Sequence, residues 1–140
     1  MAVNRDRWDL DAIRAGALVA LVFAIPFSIG ARWAADRDRD DGLALWLSLG
    51  ALAGFVLGAG CAAWVQRVGL PLKHALVTAL GTYAAAQAVF VIVKLARGGD
   101  VNWLGVLFTG STVAGAGLIG GVFGRRLRDK GFRPTGAEPS

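Results

Sequence analysis

The chain has 140 residues, of which 55% are hydrophobic and 18% charged, with 15 Lys+Arg against 10 Asp+Glu and a mean hydropathy of +0.53. Soluble domains average about 45–50% apolar and about 25% charged, so this balance excludes an ordinary water-soluble domain. Twenty Gly beside only 4 Pro argue against disorder, and a single Cys excludes an internal disulfide framework or a cysteine-built metal site.

Four stretches carry no charge: 17 residues at 15–31, 25 at 42–66, 19 at 75–93 and 24 at 101–124. A helix crosses a hydrocarbon core of about 30 Å with about 20 apolar residues, and all four stretches match that length. None shows the polar stripe of a helix in a soluble bundle, nor the alternation of a barrel strand. The fold class expected is therefore all-α: a polytopic integral membrane protein built as a compact bundle of four transmembrane helices.

In chain order, residues 1–14 read as a polar cytoplasmic lead-in, with an interfacial extension around Trp8 and Leu10. The transmembrane domain, 15–124, holds spans at about 12–33, 43–65, 75–95 and 101–123. Pro26 inside the first span is expected to kink it. That span has the basic flank of a signal peptide. However, Ile29-Gly30-Ala31-Arg32-Trp33 makes a poor cleavage site, so it is read as a retained anchor. The charge run Asp36-Arg37-Asp38-Arg39-Asp40-Asp41-Gly42 superficially imitates a calcium loop. Its glycine comes one place late, and Leu47 stands where a closing Glu belongs, so a hydrated loop without metal is expected. Gly69 and Pro71 punctuate a tight turn before the third span. After the fourth span comes a basic, then disordered, tail at 125–140.

Trp8 and Trp64 fall at one expected membrane face and Trp33, Trp46 and Trp103 at the other, where indoles sit among headgroups. Ten Lys/Arg lie on the side of the termini and five on the opposite side. The positive-inside rule then puts both termini in the cytoplasm. Twelve Arg against 3 Lys, with abundant Ala, Gly and Val, suggest a GC-rich bacterium and hence its plasma membrane.

Small residues recur along two spans: Gly50, Gly54 and Gly58 in the second, and Gly110, Ala114, Gly117, Gly121 and Gly124 in the fourth. Such rows permit close backbone approach in lipid. The simplest expectation packs the second helix against the fourth, and the surplus leaves room for a homodimer or another membrane-protein partner. Lesser rows exist at Gly16, Ala20 and Ala24 and at Thr78, Thr82 and Ala86. Tyr83, Gln87, Thr109 and Thr112 supply an interhelical bond or, alternatively, the polar path of a small channel or transporter. Gln87 is expected to act as glue between helices. Arg125, Arg126, Arg128 and Lys130 suit anionic lipid headgroups. His74, the lone histidine, reads as a solvated interfacial residue.

No span carries the carboxylate that small four-helix multidrug exporters use. No nucleophile–base pair, paired acids or phosphate loop is present, and Cys61 is alone within the second span. The chain is thus expected to have no catalytic residues, no cofactor and no nucleic-acid partner. The favoured role is a structural or accessory membrane subunit.

Gly54-Phe55-Val56-Leu57-Gly58, then Gly69-Leu70-Pro71-Leu72-Lys73-His74-Ala75, then a glycine-rich fourth span ending in Arg125-Arg126 resembles the YrzE-like group of small four-helix bacterial membrane proteins. Where that group often shows Arg after the glycine pattern and Gly after the His, this chain has Ala59 and Ala75. The resemblance covers about residues 10–128. It implies the four-span topology and no particular chemistry.

Overall fold

In a computed structural model, which describes residues 8–36 and 41–133, the chain is an all-α bundle of four helices. These are α1 (Leu10–Asp36), α2 (Asp41–Val65), α3 (Pro71–Ala96) and α4 (Trp103–Asp129). Each is long and apolar enough to cross a membrane. The helices run alternately up and down because their connections are short. Residues 37–40 of the first loop and 134–140 of the tail lie outside the described residues, as do Arg5 and Arg7 of the lead-in.

Local chemistry sets the ends. Asp9 caps α1 by accepting the Ala12 amide at 3.1 Å, and Asn102 does the same for α4 through Gly105. Pro71 starts α3 at the one position where its missing N–H costs nothing. Gly69 turns the chain between α2 and α3 with φ +81°, a left-handed conformation that side-chain-bearing residues rarely adopt. Helical geometry continues through Pro26 without a break in α1.

The packing order is α1–α2–α4–α3 around the bundle. α2 and α3 also meet across its middle, while α1 and α4 do not meet among the described residues. α2 is thus the hub, and its two flanks differ. Gly50, Gly54 and Gly58 face α1, not α4 as expected from the row alone. A Cβ built on Gly54 would fall 2.6 Å from Phe23 Cβ, and one on Gly58 would meet the Gly16 carbonyl. The neighbours on α1 are its own small row, Gly16, Ala20 and Ala24. The flank toward α4 is set by Val56, Gly60 and Ala63, which receive Gly120 and Gly124. The remaining α4 glycines turn to α3: Gly117 onto Ala79, Gly121 onto Ala75 and Leu72, and Gly110 onto the Tyr83 ring. The single α4 row therefore serves two partners, and Ala114 within it is half-buried.

These contacts are concentrated in one half of the bundle. In α3 the buried residues stop at Thr82, and in α4 they begin only at Val113. In the other half α1 and α2 stay in contact, with Ala34 buried and Phe27 against Gly50, while α3 and α4 bury nothing. We call the first the tied end and the second the open end.

Backbone-on-backbone contact leaves no room for a side chain. Gly120→Leu, whose Cβ would strike the Val56 carbonyl and lie 2.9 Å from the Gly60 nitrogen, should cost about 3 kcal/mol or more. Gly81→Ala, at a position with no atom within 4 Å, should be neutral or stabilising by up to about 1 kcal/mol. Denaturant titration of helicity in detergent micelles measures both.

Candidate functional site

Two polar assemblies occupy opposite ends. At the tied end, residues distant in sequence converge on the α2–α3 turn. Gln66 is 1% exposed, and its Oε1 accepts the amides of Val68, Gly69 and Leu70 at 2.9, 2.8 and 3.2 Å. One side-chain oxygen thereby gathers the orphan donors of the turn and of the start of α3, where Leu70 offers no side-chain cap. Asp9 accepts the Arg67 amide at 3.0 Å through its second carboxylate oxygen, fastening the start of α1 to the same turn. From α4, the Arg128 guanidinium donates to the Gln66 carbonyl. The Trp64 indole donates to the Phe132 carbonyl at 2.8 Å.

His74 is 0% exposed, so it is not the solvated histidine expected. The Asp9 amide donates to its Nε2 at 3.0 Å, and Nδ1 lies 2.9 Å from the Leu70 carbonyl. An amide can only donate and a carbonyl can only accept, so the ring is held as the Nδ1–H tautomer. Trp8 covers it with ring centroids 5.5 Å apart, and the Lys73 ammonium lies 5.1 Å from the indole centroid. Two buried polar atoms here lack a hydrogen-bond partner among the described residues, Gln66 Nε2 and the Thr78 hydroxyl.

At the open end all four helices surround a vestibule of about 680 Å³. Its floor is Phe55 and Tyr83, packed edge to face at 6.4 Å, with Val113 and Ala51. Its wall carries Gln87, Thr109, Ser48 and Asn102, and its rim carries Arg32 and Lys94. The Tyr83 hydroxyl donates to the Val106 carbonyl at 2.9 Å, joining α3 to α4. Thr109 lines the same wall beside Tyr83.

Of the four residues proposed for a polar path, the structure brings Tyr83, Gln87 and Thr109 together and excludes Thr112. That hydroxyl is exposed on the outside of α4 and returns to the Phe108 carbonyl of its own helix at 3.0 Å, a bond such residues readily make. Gln87 makes no hydrogen bond among the described residues. The interhelical bond expected of it is made by Tyr83 instead. Arg125, Arg126 and Lys130 are exposed at the tied end. Arg125 lies 3.8 Å from Asp129, while Arg128 serves the turn. Sequence reasoning missed Asp9 and Gln66, although Asp9 stands where an N-cap precedes an apolar run. Nothing local marks Gln66 as a turn organiser.

Gln66→Leu should cost at least about 2 kcal/mol, because three amides lose their acceptor. Asp9→Ala should cost about 1–2 kcal/mol through the lost cap and cross-link. Gln87→Leu should leave stability unchanged. Thermal unfolding of the three variants in the same detergent decides between these outcomes.

Compared with known proteins, the chain matches no family model, no curated protein and no solved structure. What it does must be argued from its own geometry.

Proposed function

We propose that the chain is a non-enzymatic structural or accessory subunit of a bacterial plasma membrane, crossing it four times with both termini cytoplasmic. The excess of Lys/Arg at the tied end supports that orientation, and the resemblance to the YrzE-like group supports the topology. One observation carries the accessory role. The outward side of α4 presents Leu104, Phe108, Ser111, Gly115, Leu118 and Val122, spaced three and four apart. The large apolar members are exposed, and a Cβ at Gly115 would meet nothing within 4 Å. This stripe is hollowed at Gly115, where the missing side chain lets a neighbouring transmembrane helix approach closely. A second copy or another membrane protein fits it equally well.

Gly115→Leu fills the hollow without touching the chain's own helices. The wild type in mild detergent should run as an assembly heavier than one 14.6 kDa chain, and Gly115→Leu as a folded monomer. A wild type that is monomeric and brings down no membrane protein contradicts the reading.

The vestibule favours a second reading, a small transporter that admits solute past Gln87, Tyr83 and Thr109. Below Phe55 and Tyr83 the tied end is closed by backbone contact, so passage requires the helices to part. Liposomes carrying the purified protein should show no solute flux above protein-free controls. Flux that Gln87→Leu abolishes would favour transport over the accessory role.

A further inference from the structure

Beside the vestibule, α1 and α3 flank a groove of about 820 Å³ lined almost wholly by apolar side chains. It extends from Ile13 to Ile29 on α1 and from Val77 to Val93 on α3. At 1.5 Å per residue this is about 24 Å, more than the about 15 Å depth of one leaflet. Two small residues of α3, Gly81 and Ala85, make the hollow; no atom lies within 4 Å of where a Gly81 side chain would begin.

The groove and the vestibule adjoin, both lined by Leu21, Ile25, Ile29, Ala86 and Phe90. At their junction the Arg32 guanidinium lies 3.6 Å from the Phe90 ring centroid, spanning from α1 to α3 over the top of the groove. Lys94 follows Phe90 by one turn and lines the same mouth. Among the described residues, these two cations are the only charged groups of the vestibule lining. The described carboxylates of that end, Asp36, Asp41 and Asp100, are not part of it. The first turn of α4, which lines the mouth through Asn102 and Gly105, adds the positive end of a helix dipole.

We propose that this joined groove and mouth is a binding site for one anionic phospholipid of the leaflet at the open end. One acyl chain lies along the α1–α3 groove, and the headgroup phosphate sits between Arg32 and Lys94. The charge at the mouth decides the occupant: an apolar helix would leave two cations unanswered, and a zwitterionic lipid would bring its own cation beside them along with its phosphate, whereas an anionic phospholipid brings net negative charge. The inference rests only on the bundle lying in a bilayer and is independent of the accessory role, whose test reads the opposite side of α4.

The test is native mass spectrometry of the full chain released from micelles containing equal amounts of phosphatidylglycerol and phosphatidylcholine. The wild type should retain one phosphatidylglycerol in preference to phosphatidylcholine. Arg32→Gln with Lys94→Gln should lower that preference on the order of tenfold or more, as two basic residues near a headgroup imply. Ala85→Phe should lower retention of both lipids by filling the groove. Arg97→Gln, which removes an exposed cation of the same end outside the lining, should change nothing. Circular dichroism on each variant separates loss of binding from loss of fold. Equal retention of the two lipids by the wild type would overturn the proposal, as would a preference that falls equally in Arg97→Gln. Undiminished binding in folded Ala85→Phe would show an ordinary annular lipid and overturn it too.

Discussion

Lipid tails are as apolar as the side chains of these helices, so burying one helix against another gains nothing from the hydrophobic effect. What holds the bundle must be dispersion at very short range, and that requires side chains to be missing. Gly16 against Gly58, and Gly60 against Gly120 and Gly124, meet this requirement on the two flanks of α2. Everything else in the fold follows from where these positions fall. They bring α1 and α4 onto the hub in one half of the bundle. In the other half α1 stays against α2, with Phe27 over Gly50 and Ala34 buried, while α3 and α4 bury no residue, and a vestibule results.

Polar chemistry continues the closure where the apolar contacts end. Gln66 gathers the amides of its own turn, while Asp9, His74 and Arg128, from three other segments, each bond a backbone group of a different segment. A carboxylate, an amide, an imidazole and a guanidinium thus stitch the α2–α3 turn to the start of α1 and the end of α4. The arrangement suits a boundary where unpaired amides would otherwise face headgroups. At the opposite end the Tyr83–Val106 bond joins α3 to α4 and the Arg32–Phe90 stack joins α1 to α3.

Much of this architecture was legible in the sequence. The four charge-free stretches announced four long apolar helices, because the helices of a small soluble bundle each keep a polar face. Gly69 and Pro71 marked the turn for reasons of backbone geometry alone. The partner of each glycine row was not legible. A row such as Gly50-Gly54-Gly58 shows that something comes close, but helical period says nothing about how the helix is rotated toward its neighbours. Here that rotation gives the row to α1 and a second flank, Val56-Gly60-Ala63, to α4. Gln87 and His74 were misread for a related reason. An amide in mid-span looks like glue and a histidine at a span end looks wet. Yet the splay of the bundle exposes the first to the vestibule, while Trp8 and Asp9, from a different segment, seal the second.

The central claim is that small-residue contact closes one half of the bundle and leaves the other open. Single cysteines placed in a Cys61→Ala chain and exposed in vesicles to a small water-soluble thiol reagent test it directly. The account predicts rapid labelling at Ser48, Gln87 and Thr109, which line the vestibule, and protection at Thr78, Ala79 and Ala116, which are buried at the tied end. Equal reactivity of the two sets, or protection of the first and labelling of the second, would contradict it.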